Sequence, residues 1–317
     1  MKDRMILIDI GQVFRYKQGE NRMIDPNKKI KSTMLAMMAA QIFLASGALA
    51  DSYSHTLKLN PPDANWLVYQ HINKTLTGYS DYTSYEVSDN TSHDFQHIQT
   101  KWSDEMNRRV FRFYSHINKD DDRGLDNGKV RAEIKVYDKS HDWLKARLGE
   151  KFKYNWKFKI PSDYQAGTRF GHIFQLKSKG GDDGAPIFTL STRVLGNSEK
   201  MYVQYQKCSD SSDCPIQKNA LKELSDFKGK WIAATCILVV GEGNNGEIHF
   251  SLKDYDTGRE LLRYHDRNID TWRSSGSDSD AFVRPKWGIY RSKETSANWP
   301  LGDETIDITN ITIRKYK

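Results

Sequence analysis

Three short segments carry side chains that can move a proton or hold a negative charge. They are Val130-Arg131-Ala132-Glu133-Ile134-Lys135, His172-Ile173-Phe174-Gln175-Leu176-Lys177 and Lys286-Trp287-Gly288-Ile289-Tyr290. An imidazole and a phenol are proton carriers of general acid–base chemistry. Arg, Lys and Gln are donors that hold a carboxylate. In an extended strand alternate residues share a face. Arg131, Glu133 and Lys135 then lie opposite Val130, Ala132 and Ile134, and Lys286, Gly288 and Tyr290 lie together. Ser191 and Arg193 share a face within Ile187–Val194, and Tyr202 and Gln204 are further polar candidates. Strict alternation in the middle segment sets Gln175 and Lys177 with Ile173, and His172 with Phe174 and Leu176, on opposite faces unless a bulge intervenes. The ordinary alternative for all three segments is a solvated strand face.

The elements that would position these residues are strands. After Asp51 the chain reads as many short runs rich in Val, Ile, Tyr, Phe and Trp, divided by turn signals such as Gly180-Gly181-Asp182-Asp183-Gly184 and Gly243-Asn244-Asn245-Gly246. No long helical periodicity stands out. Short helical turns are expected at 218–226 and 140–148. Many strands without alternating helices imply an all-β sandwich or barrel. No internal repeat or long linker divides residues 51–317, so one domain is expected.

Residues 1–50 read as a leader. Lys28, Lys29 and Lys31 precede an apolar run from Met34 to Leu49 that ends in Ala48-Leu49-Ala50. This is the pattern of a signal peptide over about 23–50, and it predicts a secreted or periplasmic protein with no membrane association after cleavage. The formal charge is +7, of which +4 belongs to residues 1–50, so a basic face must come from the fold. No Lys/Arg-rich run or reader motif points to nucleic acid. Cys208 and Cys214 flank a polar loop and suit a disulfide in an oxidising compartment. Cys236 lies in an apolar strand and reads as a buried free thiol. No Cys/His metal spacing is present. A monomer is expected.

Taken in order, Val110-Phe111-Arg112-Phe113, the Arg131 strand, Tyr154-Asn155-Trp156-Lys157-Phe158, the His172 strand, Gly229-Lys230-Trp231 and Arg284-Pro285-Lys286-Trp287-Gly288-Ile289-Tyr290-Arg291-Ser292 resemble the polysaccharide-lyase superfamily of heparin lyase I and the glucuronan lyases. The resemblance spans roughly residues 108–313. It implies a concanavalin-like β-jelly-roll sandwich with a concave groove, and endo-type β-elimination on an acidic glycan. Alginate lyases of that fold look similar at Arg131-x-Glu133, at the Gln/His strand and at Lys286-x-Gly288-x-Tyr290. The sequence departs from their Gln-Ile-His spacing, because His172 precedes Gln175 by three residues.

β-Elimination removes the proton beside a uronate carboxylate and expels the glycosidic oxygen. The carboxylate must be neutralised so that the developing dianion is tolerable. The roles implied are His172 as base, Tyr290 as acid and also a candidate base, and Gln175 and Arg131 as carboxylate neutralisers, with Lys177 able to serve likewise. Glu133 would orient Arg131, Arg193 and Lys286 would bind neighbouring acidic sugars, and Tyr202 is a weaker substrate-binding candidate. A cation beside Tyr290 is required to lower its pKa, and Lys286 and Arg291 are adjacent in sequence. No cofactor is required. The resemblance allows a structural Ca²⁺, for which Asp303, Asp307 and Asn310 offer oxygens. Two rivals remain at this level: a lectin-like carbohydrate-binding module, and a glycoside hydrolase, which needs two matched carboxylates.

Overall fold

Alternating apolar and polar residues give fifteen strands among the described residues, which are 51–89, 94–210, 217–274 and 280–317 of a computed structural model. The expected leader, including its signal-peptide segment, lies outside them, as does Cys214. Ser52–Lys317 is one compact unit. The strands form two sheets. The front sheet runs β10 (Gln217–Glu223), β9 (Ser198–Tyr205), β8 (Phe188–Leu195), β7 (Gly171–Lys179), β14 (Phe282–Ser292), β5 (Lys129–Lys135) and β2 (Tyr85–Glu86). The back sheet runs β13 (Glu260–Ile269), β12 (Gly246–Asp254), β11 (Trp231–Val239), β6 (Lys151–Lys159), β15 (Glu304–Tyr316), β4 (Arg108–Ser115) and β3 (Ile98–Ser103), with β1 (Tyr53–Leu59) also paired to β15. All the strand pairings are antiparallel. The architecture is the two-sheet sandwich of a jelly roll, as expected.

The apolar halves of the strands meet between the sheets. Trp156 of β6 stacks on Phe174 of β7 at 4.4 Å, and Trp287 of β14 and Phe250 of β12 close around them. Rings fill this layer because large flat side chains bury the most apolar surface per residue. One helix was not anticipated. α1 (Val68–Thr77) buries Val68, Ile72 and Leu76 along one stripe and ends at Gly78, whose φ of 84° lets its N–H reach the Lys74 carbonyl. The turn expected at 218–226 is instead β10 followed by a 3-10 turn over Leu224–Asp226, and that at 140–148 is a 3-10 turn over Asp142–Leu144.

A bulge in β7 decides which residues can meet. His172 pairs with Ser191 and Phe174 with Leu190, so Ile173 is an extra residue against β8. Ile173 and Phe174, although consecutive, both lie in the core. The bulge therefore reverses the face of everything before it. His172 comes to the same face as Gln175 and Lys177, which corrects the strict-alternation expectation. Across from it, β14 carries Gly288 at φ 143°. A Cβ there would sit 2.1 Å from the Ala132 carbonyl oxygen, so only glycine fits so close to β5.

Candidate active site

Cross-strand pairing assembles the outer face of the front sheet. Tyr290 pairs with His172 on one side and Arg131 on the other; Lys286 pairs with Gln175 and Lys135. The structure thus brings together His172, Tyr290, Gln175, Arg131, Glu133 and Lys286. The His172 and Tyr290 rings are 5.9 Å apart, and Phe170 stacks against His172 at 4.7 Å.

His172 is 7% exposed. Burial, reinforced by the positive charges of Arg131 and Lys286, pulls its pKa down to about 3, so the imidazole is neutral. Its Nδ1 meets Ser191 Oγ at 2.7 Å, while the Ser191 hydroxyl donates to Thr189 Oγ1 at 2.8 Å. The serine oxygen then accepts from Nδ1–H, which leaves Nε2 as the basic atom. Tyr290 is half-buried. Burial raises its pKa, opposed by Arg131, whose guanidinium carbon lies 3.5 Å above the ring centroid. The cation beside Tyr290 is Arg131, not Arg291. Arg291 is buried and donates to the Gln165 carbonyl at 3.2 Å.

Arg131 and Lys286 are not free to hold a substrate. Arg131 Nε and Nη2 bind Asp122 at 2.7 and 3.2 Å, and Nη1 binds Glu86 and Glu133 at 2.8 and 3.0 Å. Burial would lower the Arg131 pKa, but Glu133, Glu86 and Asp122 raise it and keep the guanidinium charged. Lys286 donates to Glu86 and lies 3.4 Å from Glu133. Lys135 and Arg123 also bind Glu86, at 3.1 and 3.2 Å. Burial alone would raise the Glu86 pKa, yet Lys286, Lys135 and Arg131 hold its carboxyl well below the usual range. Gln175 donates its amide to Glu133. Glu133 is therefore the anchor of Arg131, Lys286 and Gln175 together. Glu86 and Asp122 were missed from sequence. Both lie outside the three motifs, Glu86 45 residues and Asp122 9 residues before Arg131, and nothing local marks them.

Cations without an ion-pair partner among the described residues flank this network. Lys177 lies beyond Gln175 and pairs in register with Arg284 of β14. Burial, then Lys286 and Arg284, lowers the Lys177 pKa to about 8. Arg284 was another residue missed, and its Nε is buried with no hydrogen-bond partner among the described residues. On the other side, Arg193 of β8 uses Nε on the Thr168 carbonyl at 2.8 Å, with no other hydrogen bond from its guanidinium among the described residues. Tyr202 is 1% exposed, so it packs beneath the face and offers no stacking surface to a sugar.

The Ca²⁺ candidates do not converge. Asp307 holds Arg112 with both oxygens at 2.7 Å, Asp303 accepts from the Ile117 N–H at 2.8 Å, and Asn310 accepts from Arg108. Cys236 is a buried free thiol, as expected.

The fold and this face define a jelly-roll sandwich with an imidazole and a phenol side by side on one sheet. No protein-family model and no curated protein sequence matches the chain. Solved structures do resemble it. An alginate lyase of family PL-14 from Aplysia kurodai aligns at 13% identity over 83% of this chain and 98% of its own, with a TM-score of 0.51. A variant of alginate lyase Aly36B in complex with alginate tetrasaccharide aligns at 13% identity over 84% and 99%, also with a TM-score of 0.51. An endo-β-1,4-glucuronan lyase from the fungus Trichoderma reesei aligns at 14% identity over 83% and 95%, with a TM-score of 0.47. At such identities the likeness to the two alginate lyases establishes the shared fold and nothing finer.

Proposed function

We propose that the chain is a polysaccharide lyase that cleaves a uronic-acid polymer by β-elimination, with His172 as base and Tyr290 as acid. One observation carries this reading: an imidazole kept unprotonated stands beside a phenol kept protonated on one patch of sheet. In the reaction His172 Nε2 takes the proton beside the uronate carboxylate. That electron pair becomes the ring double bond, the glycosidic C–O bond breaks, and Tyr290 gives its proton to the leaving oxygen. The phenolate so formed lies under the Arg131 guanidinium, a favourable field present before the reaction starts. Arg131 is thus a positioning residue in this reading. Arg193 meets the reacting carboxylate, Lys177 and Arg284 hold acidic units further along, and Gln175, buried with its amide on Glu133, positions the Glu133 carboxylate instead of touching substrate. The finer reading is an endo-acting enzyme on a glucuronan-like polymer, exported behind a cleaved leader.

A hydrolase fits less well, because it needs one carboxylic acid kept protonated, and the cations around Glu86 and Asp122 favour their ionised forms. Incubation with a panel of polyuronates distinguishes the readings. Elimination produces an unsaturated sugar that absorbs in the ultraviolet, whereas hydrolysis yields new chain ends without that absorbance. The proposal fails if chain ends appear with no ultraviolet rise, or if no acidic glycan is cut.

A further inference from the structure

Away from the proton-transfer pair, three ligand-type side chains converge where β3 and β4 meet the loop that follows β4. One nitrogen each of His97 and His116 and one oxygen of Asp120 lie within 4.8 Å of one another. His97 Nε2 is 2.8 Å from Asp120 Oδ1, and His116 Nδ1 is 3.3 Å from both Asp120 oxygens. Two ligand atoms each bound at about 2.1 Å to one tetrahedral ion are separated by roughly 3.4 Å, so these spacings suit a shared ion after small adjustments.

The surroundings are built to hold these ligands in place. His97 is fully buried. Its Nδ1 meets Asp89 Oδ1 at 2.6 Å, and its backbone N–H binds the same oxygen at 3.0 Å. The other Asp89 oxygen accepts from Tyr69 at 2.5 Å. A carboxylate on the far nitrogen of an imidazole is the outer support that metal-binding histidines use, because it fixes the tautomer and aims Nε2. Asp120 is fixed in the same way: its Oδ2 accepts from the His116 backbone N–H at 2.6 Å, which leaves Oδ1 towards His97. Phe95 packs edge-on against both imidazoles, at 5.3 and 4.7 Å.

We propose that His97 Nε2, His116 Nδ1 and Asp120 Oδ1 bind a divalent transition-metal ion of the Zn²⁺ type. Two imidazoles and one carboxylate suit such an ion, whereas Ca²⁺ takes six to eight oxygens. The ion has a structural consequence for the front sheet. It ties the start of the loop at His116 and Asp120 to β3. Two residues on, Asp122 holds Arg131 over Tyr290. Between them, the Asp121 carbonyl accepts from Ser88 at 2.5 Å, and Ser88 adjoins Asp89. Metal binding therefore fixes the loop that supports the guanidinium, without touching substrate.

The test is direct metal binding by tag-free protein stripped with a chelator. Calorimetric titration with Zn²⁺ should give one equivalent per chain, and an equal concentration of Ca²⁺ should not compete. Substituted Co²⁺ should give the visible absorption of a low-coordinate site with nitrogen ligands. His116→Ala alters a residue at the edge of the cluster whose side chain is 19% exposed and should fold, yet it should lose the stoichiometric site. Asp89→Asn keeps all three ligands and should weaken Zn²⁺ by about 10- to 100-fold. Zn²⁺ should raise the unfolding temperature of the unaltered protein and not that of His116→Ala. Absence of saturable Zn²⁺ binding, or unaltered affinity in both variants, overturns the proposal and leaves His97 as an imidazolium held between Asp89 and Asp120. None of these readouts involves glycan cleavage, so the result is independent of the lyase reading.

Discussion

If His172 is the base, acidification should not stop the reaction where an ordinary histidine would. A free imidazole titrates near ~6.5. Burial, with Arg131 and Lys286 next, brings His172 to about 3. A gap of roughly 3.5 units at 1.36 kcal/mol per unit amounts to roughly 5 kcal/mol against protonation. At pH 6.5 about one His172 in 3,000 would be protonated, against about half of unperturbed histidines. At the alkaline end, burial keeps the Tyr290 phenol protonated beyond its ordinary range. Initial rates followed by ultraviolet absorbance should therefore give a kcat/KM that is level from about pH 5 to about pH 7, and above that it should fall only as Lys177, brought down to about 8, loses the charge that holds acidic units. Below that the substrate carboxylates themselves titrate, so the ring protons of His172 provide a separate check by NMR. Their shifts should not move between about pH 5 and 8. Stability should follow the same linkage. The unfolded chain binds this proton below about 6.5 and the folded chain only near 3, so stability is lost as pH falls through that interval. An acid limb centred near 6.5, accompanied by a titrating His172 resonance, would refute the assignment of a buried neutral base.

Three further outcomes follow from the same geometry. Tyr290→Phe removes the proton donor and should lower kcat by about 10²- to 10⁴-fold while polymer binding, measured by calorimetry, is kept; equal loss of binding would favour a lectin-like role. Arg131→Met strips Asp122, Glu86 and Glu133 of their shared partner and should cost about 3–5 kcal/mol in urea unfolding, the penalty for breaking a buried pair from one side; a loss under about 1 kcal/mol would mean the network is not formed. Burial raises Glu304 to about 7, so its contribution is fully present below its unfolded pKa and lost as pH rises through 7. Relative to Glu304→Gln, the unaltered protein should then lose at most about 3 kcal/mol between about pH 5 and 8.5, read as the difference between their denaturant midpoints at both pH values.

The strands were legible because alternation and turn residues are local signals. Val130 to Lys135 and Lys286 to Tyr290 fold with the faces that their sequences imply. The His172 strand did not, because a bulge is set by pairing with neighbours and not by its own residues. Ile173 and Phe174 both find room in the core, and His172 turns outward only after that packing is satisfied. The helix Val68–Thr77 carried a readable stripe at Val68, Ile72 and Leu76 with a glycine cap, but ten residues among strand-like runs gave it little contrast. Glu86 and Asp122 were illegible for a different reason. Their meaning arises from position, since each lies 45 and 9 residues from the Arg131 they bind. The expectation that Arg131 and Lys286 would be open to substrate failed through those same two carboxylates.

That failure changes where catalytic power would come from. Four cations, Arg131, Lys286, Lys135 and Arg123, interlock with three carboxylates, Glu86, Asp122 and Glu133. Arg131, Lys286 and the three carboxylates are all buried, so none of these five can swing out to follow a moving substrate without stranding a buried charge. The cluster keeps an excess of one positive charge, set against the Tyr290 ring. A phenol losing its proton gains a negative charge at that spot, and the field that favours it requires no reorganisation during the step. A mobile arginine reaching for the substrate carboxylate would strengthen binding of ground state and transition state alike. An immobile one stacked on the phenol favours the charge that appears only as the bond breaks, and only that kind of interaction raises kcat.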